Sequence, residues 1–202
     1  MKIINMFGKT IFVAFLTISI NIQGQDEQSV FEEVIVTAEK RSESLQGVSQ
    51  AVTALTSSEI EVKNINSIVD LSAIVPGVTV AKNEGYKTVI SIRGVGNETN
   101  QNAIAAPSVA YHMDGIFIAS PFALQSDFLD VERIEVLRGP QGTLFGQNST
   151  GGAINVISKK PSTEERSAKT QLTMGNYNLM KLSASSNTPI SDTIATRLAV
   201  SV

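Results

Sequence analysis

Cysteine and tryptophan are absent from this chain of 202 residues, and histidine occurs only once. Without cysteine there is no disulfide framework, no thiol nucleophile and no metal site built on thiolates. A single histidine also excludes a metal site that needs several histidines. Acidic residues number 19 against 16 lysines and arginines, and no basic block occurs. The sequence therefore gives no sign of nucleic-acid binding.

The composition is that of a globular protein, with 42% hydrophobic and 17% charged residues. The N-terminus is typical of a secretory signal peptide, because a basic start at Lys2 and Lys9 precedes the short apolar core Thr10–Ile22. A membrane anchor is the alternative, but the uncharged run from Thr10 to Gln25 is shorter than the ~20 residues that a transmembrane helix needs. We expect residues 1–25 to direct export to the periplasm or outer membrane of a Gram-negative bacterium.

The rest of the chain divides into three segments of different character. Residues 26–46 are polar and charged apart from the apolar run Val34–Val36, which predicts a mobile linker. Residues 47–161 alternate short helix and strand signals, and residues 168–202 alternate apolar with polar side chains. This order predicts an α+β fold, in which a small mixed-sheet domain with short helices is followed by antiparallel strands.

The helix and strand signals of the middle segment are short. Thr56 and Glu59 have the spacing of a capping box, which predicts a short helix directly after Thr56. A second helix is expected over Ile68–Val75, ahead of a Pro-Gly pair that ends it. Six β-prone runs are expected to form strands: Val48–Leu55, Val78–Ala81, Val89–Arg93, Val109–Met113, Arg133–Leu137 and Asn155–Ser158.

The C-terminal segment has a period of two. Its runs of about ten residues are broken at Gly175–Asn176 and at Asn187–Asp192. In the last run Leu198 and Val200 share one face, whereas Arg197 lies on the other. The pattern fits the strands of a transmembrane β-barrel, and it fits an ordinary half-buried hairpin of a soluble sheet equally well.

Several motifs that suggest catalysis or cofactor binding are incomplete. Gly94-Val95-Gly96 lacks the third glycine of a dinucleotide-binding turn, and the glycine-rich run Gly139–Gly152 lacks the lysine of a phosphate loop. Ser149 does not have the spacing of a nucleophile elbow. His112 and Asp114 share one face of a strand without a third ligand or a nucleophile. We therefore expect no metal, no cofactor and no enzymatic activity, and an exported hydrolase is disfavoured.

Four stretches, in order along the chain, resemble one known family. Glu33–Ala38 is similar to a TonB box, and Ile92–Gly94 and Tyr111–Gly115 are similar to strand motifs of a plug domain. The long run Val131–Gly146, which continues to Pro161, is the most specific of the four. On these residues the chain resembles the N-terminal part of a TonB-dependent outer-membrane receptor, and the resemblance covers essentially the whole chain.

The resemblance implies an order of domains. A signal peptide, residues 1–25, would be followed by a mobile linker with the TonB box, residues 26–46. A plug domain would occupy residues 47–161, and residues 168–202 would be the first strands of an incomplete transmembrane β-barrel. The family's barrel has about 22 strands, and this chain holds at most the first three. We expect it to be a fragment of a longer gene or a truncated product.

The resemblance also implies a transport function. TonB, energised by the ExbB–ExbD complex, would pair with the TonB box and open a path for a scarce ligand of the ferric siderophore, cobalamin or oligosaccharide class. A short β-prone run in a mobile linker suits this partner, because it can add a strand to the edge of a sheet. The residues expected to bind TonB are Glu33, Val34, Ile35, Val36, Thr37 and Ala38.

Two further sets of residues follow from the resemblance. Arg93 and Arg138 are expected to act as latches between the plug and the barrel wall, with Glu132 and Glu135 as partners or as charge balance. Arginine suits this role because its fork can hold a carboxylate with two hydrogen bonds. Polar loops at the outer end of the plug are expected to face the ligand. Their candidate contact residues are Tyr86, Gln101, Asn102, Phe117 and Phe122.

A second function stays open on the sequence alone. A plug without a barrel would be a soluble periplasmic module that binds TonB as an interaction protein. The reading frame beyond Val202 separates the two hypotheses. Several hundred further residues of period-two strands would indicate a transporter, whereas a nearby stop codon would indicate a module.

Overall fold

The structure is a computed structural model, which describes residues 35–36, 43–44, 50–83, 87–96 and 106–202. The expected signal peptide lies outside these ranges, and so does most of the expected linker. Several of the expected site residues also lie outside the described residues: Glu33, Val34, Thr37, Ala38, Tyr86, Gln101 and Asn102.

Short strands and shorter helices alternate along the described part of the chain. The strands are β1 (Ile35–Val36), β2 (Glu43–Ser44), β3 (Val52–Thr56), β4 (Val78–Asn83), β5 (Lys87–Ile92), β6 (Val95–Gly96), β7 (Val109–Met113), β8 (Ile116–Phe117), β9 (Val131–Arg138), β10 (Gly152–Ser158), β11 (Ser167–Met174), β12 (Met180–Ser191) and β13 (Ile194–Ser201). The helices are α1 (Ser57–Val62), α2 (Leu71–Ile74) and α3 (Gly142–Phe145), with 3₁₀ turns at Ile68–Asp70 and Ala123–Gln125. No helix in these ranges is long and apolar enough to cross a membrane.

Helix α1 begins where the capping box predicts it. The Glu59 N–H donates to Thr56 Oγ1 at 3.4 Å, and the Thr56 N–H donates to Glu59 Oε2 at 3.1 Å, so each residue satisfies a backbone donor of the other. The expected second helix is divided. Its first turn, Ile68–Asp70, is a 3₁₀ turn, and Val75 is already extended because it precedes Pro76.

A mixed sheet holds the centre of the middle segment, with the strand order β3-β9-β10-β7-β8. β7 and β10 run parallel, and the other neighbours run antiparallel. One face carries Ile134, Val136 and Ile154, which belong to the main core together with Leu71 of α2 and Ile92 of β5. All five side chains are fully buried. Burial of one such side chain stabilises a fold by about 1.5–3 kcal/mol, so this face fixes the helices on the sheet.

The opposite face of the central sheet carries a smaller apolar cluster. Ala110, Leu137 and Ala153 form it together with Val36 of β1. β1 pairs antiparallel with β2, and because side chains alternate along a strand, its two residues have opposite environments. Val36 is fully buried, whereas Ile35 is 53% exposed. The β1–β2 pair therefore covers the second face of the sheet.

The C-terminal segment forms a separate antiparallel sheet in the order β11-β12-β13. Leu172 lies opposite Leu182 in its first ladder. The break expected at Asn187–Asp192 is wrong, because β12 continues through Pro189 to Ser191. Among the described strands the C-terminal part of β12 pairs only with β13, and that ladder is irregular between Pro189 and Ser191. A proline is tolerated at such an irregular, singly paired position.

Candidate functional site

The expected TonB box enters the described part of the chain at β1. Val36 packs in the cluster of Leu137, and the partly buried ring of Phe145 packs against the same cluster. Ile35, its neighbour, points away from the cluster and into solvent. A partner that uses both faces of this strand must therefore first draw Val36 out of the domain.

A row of polar side chains lies next to that cluster on the same face of the sheet. Glu135 of β9, Asn155 of β10 and His112 of β7 are cross-strand neighbours, and all three are buried. Asn155 Nδ2 donates to Glu135 Oε2 at 3.3 Å. The His112 ring lies 5.5 Å from the ring centre of Phe117 and 5.2 Å from that of Phe145. The face of the central sheet that β1 covers is therefore partly polar and partly aromatic.

The charge of Glu135 is balanced inside the domain. Arg133 Nε donates to Glu135 Oε1 at 2.9 Å, and Arg133 Nη1 also pairs with Glu132. Glu135 is fully buried, whereas the Glu132 side chain is 40% exposed. Both oxygens of Glu135 bond to neighbours within the sheet, which fits charge balance inside the plug, one of the two roles expected for this residue.

Arg93, a predicted latch, lies at the tip of a hairpin. Arg93 and Gly94 join β5 to β6 with φ angles of 53° and 77°, the pattern of a two-residue turn with both central residues left-handed. The Arg93 N–H donates to the Gly77 carbonyl at 2.7 Å, while its side chain is exposed. The turn therefore projects a guanidinium from the surface of the domain.

Arg138, the second predicted latch, ends β9. Its Nη2 donates to Thr53 Oγ1 of β3 at 2.6 Å. Its Nε is buried and has no hydrogen-bond partner among the described residues. A buried donor without a partner is costly, so the site fits an acceptor contributed by another part of the protein. The latch role of both arginines stays a prediction.

Of the three aromatic candidates for ligand contact, the two that the structure describes, Phe117 and Phe122, lie in different environments. Phe117 packs against the cluster of Val36 and against His112. Its ring therefore faces the covered side of the central sheet, which corrects its assignment to a ligand-facing loop. Phe122 is 58% exposed beside the 3₁₀ turn at Ala123–Gln125, and it stays a candidate.

The C-terminal sheet has two unlike faces. Its outer face is apolar and exposed, with Leu172 opposite Leu182 and Met174 opposite Met180. Its inner face is polar, because Lys169 lies there with Gln171, Ser183 and Ser185 beside α1. An apolar exposed face and a polar inner face are the arrangement of transmembrane β-barrel strands, and a half-buried hairpin of a soluble sheet would show the reverse.

Ion pairs join the inner face of this sheet to the rest of the domain. Each pair joins a basic residue of the C-terminal sheet to an acidic residue of the middle segment. The pairs are Lys169–Glu61, Lys181–Asp127 and Arg197–Asp130, each with an N···O distance of 2.5 Å. A cavity of about 110 Å³ with a mixed polar and apolar lining lies between α1 and the sheet, near the Lys169–Glu61 pair.

Sequence reasoning missed these contacts. The period of two already places Arg197 opposite Leu198 and Val200, which is the available signal for an inward-facing charge. Its partner Asp130 is 67 residues away in the chain, so no local pattern predicts the pair. Within the described residues no group of three or more His, Cys, Asp or Glu side chains could hold a metal ion.

Tyr111 of β7 is buried in the main core, and this burial raises the pKa of its phenol to about 12. Desolvation is the cause, since the charged phenolate loses water inside the domain. On α1, burial acts to raise the pKa of Glu59, but hydrogen bonds from Thr56 and Lys63 outweigh it and lower that pKa. Both groups are structural, and neither lies in an open cleft.

The fold and the two-faced sheet define a class of protein, an outer-membrane receptor of which this chain carries a plug domain and barrel strands. The model of the TonB-dependent Receptor Plug Domain matches residues 44–153. The chain belongs to this family. Its members are outer-membrane receptors of Gram-negative bacteria, and the predicted fold class and localisation are confirmed at that level.

Curated relatives agree with the family. The chain is 33% identical over 147 residues to the pesticin receptor of Yersinia pestis, an alignment of 70% of this chain and 20% of the relative. It is 31% identical over 152 residues to the iron-regulated outer membrane virulence protein of Vibrio cholerae, covering 72% of this chain and 22% of the relative. The chain therefore spans about a fifth of the length of these relatives. The Yersinia pestis relative is named a receptor, and the Vibrio cholerae relative is named an outer membrane protein.

Solved structures show the same fold. The ferric yersiniabactin uptake receptor FyuA from Yersinia pestis superposes with a TM-score of 0.68 at 24% identity, over 75% of this chain and 24% of that one. FpvA of P. aeruginosa, bound to heterologous pyoverdines, gives a TM-score of 0.70 at 22% identity, over 83% and 22%. At these identities the likeness concerns the fold alone.

Proposed function

We propose that this chain is the plug-bearing N-terminal part of a TonB-dependent transporter, which takes up a scarce ligand across the outer membrane by energy coupling. The observation that carries the proposal is the two-faced sheet β11-β12-β13. Its exposed apolar face suits lipid, and its polar face is joined by ion pairs to the plug domain. A soluble module would expose that apolar face to water, which disfavours the barrel-less alternative.

The segment Glu33–Ala38 would be the TonB box. β1 is short, lies ahead of the central sheet and pairs with β2 only through Ile35 and Val36 among the described strands. Among the described strands, TonB would have to replace only this two-residue ladder with its own sheet edge. TonB, driven by the ExbB–ExbD complex, would then pull on this segment. Pulling first draws Val36 from its cluster.

Arg93 and Arg138 would hold the plug against the barrel wall beyond this chain. Arg93 projects from a hairpin tip, and Arg138 Nε is a buried donor that needs an acceptor. Carboxylates on the inner wall would supply it, because a guanidinium binds a carboxylate with two parallel hydrogen bonds. Glu132, half-exposed beside Arg133, would contribute charge balance at this surface.

The ligand would belong to the ferric siderophore, cobalamin or oligosaccharide class. One relative of known structure is a ferric yersiniabactin uptake receptor, and another relative is named a vitamin B12 transporter. Phe122 and the predicted loop residues Tyr86, Gln101 and Asn102 are the proposed contacts. Aromatic faces and side-chain amides suit all three classes of ligand.

The test separates binding from uptake in cells that carry the full-length receptor. Radiolabelled ferric siderophores and labelled cobalamin serve as probes. Ile35→Pro should leave surface binding of the transported probe unchanged and abolish its uptake, because proline removes an N–H donor from the strand that TonB would pair with. Ile35→Val is the matched control and should transport normally. Normal uptake by the proline variant would remove the TonB-box assignment.

A further inference from the structure

Asn187 and Arg197 lie directly opposite each other in the ladder of β12 and β13. Both side chains are on the inner, polar face of the sheet, and Asn187 is 1% exposed. Arg197 donates two hydrogen bonds to the middle segment, and Asn187 makes three to the connection between β10 and β11. This cross-strand pair is therefore a contact point between the C-terminal sheet and the domain that precedes it.

Arg197 binds Asp130, the residue directly before β9. Its Nε and Nη2 donate to the two carboxylate oxygens of Asp130 at 2.5 and 2.6 Å, the bidentate geometry that arginine forms with carboxylates. The side chains are only 15% and 13% exposed, so solvent screens this pair less than the other ion pairs of the sheet. The Asp130 carbonyl also accepts from the Lys159 N–H at 2.9 Å, at the end of the plug.

Asn187 holds the connection that leaves the plug. Its Oδ1 accepts from the Ser162 N–H at 2.9 Å. Its Nδ2 donates to the Ser162 carbonyl at 2.9 Å and to the Glu165 carbonyl at 2.6 Å. One side chain thus satisfies three backbone groups of the segment between β10 and β11, which has no strand or helix of its own.

We propose that Asn187, Arg197 and Asp130 form an exit anchor, which fixes the C-terminal end of the plug domain to the first barrel strands. These three are positioning residues. The anchor lies at the N-terminal end of β9, whereas Val36 packs near Leu137 at the other end of that strand. Seven residues of strand separate the two points by about 23 Å. On the proposed function, a pull on β1 acts at one end of β9 while the anchor holds the other.

The test measures the distance between plug and sheet in the purified full-length receptor in detergent micelles, with any cysteine beyond residue 202 replaced by serine. Residues 1–202 contain no cysteine, so spin labels can be placed at Val62→Cys on α1 and Val200→Cys on β13. Both side chains are exposed, at 82% and 51%. Without further changes, electron paramagnetic resonance should give one narrow distance distribution, because the sheet is held on the plug.

Arg197→Gln and Asn187→Ala should each broaden that distribution at least twofold. Arg197→Lys should broaden the distribution less than Arg197→Gln, because lysine keeps the positive charge but cannot form the bidentate pair with Asp130. Lys181→Gln, which breaks the more exposed pair with Asp127, is the matched control and should stay narrow. Hydrogen exchange of β9 and β10 should be unchanged in all four variants.

Three results would overturn the proposal. The first is a broad distribution before any anchor residue is changed. The second is a distance distribution that Arg197→Gln leaves as narrow as before, or that Lys181→Gln broadens as much as Arg197→Gln does. The third is faster exchange of β9 and β10 in Arg197→Gln, since the pair would then be part of plug folding. This experiment measures a distance and not uptake of a ligand. A negative result would therefore overturn the anchor without affecting the transport proposal, and a failed uptake experiment would not affect the anchor.

Discussion

Arg133 Nε and Glu135 Oε1 lie 2.9 Å apart on the covered face of the central sheet, two residues from each other on one strand. Both side chains point to the same face because strand residues alternate. Glu135 is fully buried, so Arg133 is the cation that balances its charge inside the domain. We therefore expect the domain to be sensitive to loss of the Glu135 carboxylate and tolerant of loss of the half-exposed Glu132 carboxylate, which pairs with the same arginine.

Glu135→Gln should lower the free energy of unfolding by about 1–3 kcal/mol, because the mostly buried Arg133 Nε loses its carboxylate partner, while Arg133 keeps the half-exposed Glu132. Glu132→Gln is the control on the same arginine. Its carboxylate is 40% exposed, so its loss should cost less than about 1 kcal/mol. Urea denaturation followed by circular dichroism measures both. Equal losses in the two variants would contradict the structural assignment of Glu135.

Val36→Ala should destabilise the domain by about 2 kcal/mol, since it removes two buried methyl groups from a packed cluster. Ile35→Ala, one residue earlier, should change the free energy of unfolding by no more than about 0.5 kcal/mol, because that side chain is exposed. Denaturant midpoints of the two variants give the comparison. If Val36→Ala is as mild as Ile35→Ala, β1 is not docked on the sheet.

Tyr111 should make stability fall in strong alkali. Its pKa is raised to about 12 in the folded chain, above the ordinary value of 10.0. The buried, neutral phenol therefore stabilises the folded chain fully below pH 10. This stabilisation is lost as the pH rises toward the pKa of the folded chain, because the phenol of the unfolded chain loses its proton first. A shift of this size corresponds to about 2.7 kcal/mol. The difference in unfolding free energy between wild type and Tyr111→Phe should shrink by about 2 kcal/mol between about pH 10 and pH 12, where most of this stabilisation is lost. A constant difference would speak against burial as the cause.

Arg138→Ala in the full-length receptor should raise passive entry of small antibiotics and speed proteolysis of the plug. On the proposed latch role, loss of the Arg138 guanidinium would leave a carboxylate of the barrel wall without its partner, at a cost of about 3–5 kcal/mol. Arg166→Ala, which changes an exposed arginine in the connection to β11, is the control. Antibiotic susceptibility and limited proteolysis are measured side by side. Identical behaviour of the two variants would make Arg138 an ordinary surface charge.

Local patterns determined much of this protein from its sequence. The capping box of Thr56 and Glu59 forms as predicted, and the β-prone runs around Val89 and Val109 become β5 and β7. These features depend on neighbours within a few residues, where backbone geometry and hydrogen bonding act directly. The motif from Val131 to Pro161 also identified the family, which the plug-domain match confirms.

Long-range packing decided what the sequence could not. Nothing near Glu135 or Phe117 in the chain shows that both lie on a covered face, because that depends on β1 closing over the sheet. Nor does any local pattern join Arg197 to Asp130, which meet only when β13 docks on the plug. A period of two gives the two faces of a strand but not which face meets the domain. In this chain the face that meets the domain is the one whose Lys169, Lys181 and Arg197 pair with acidic residues of the middle segment.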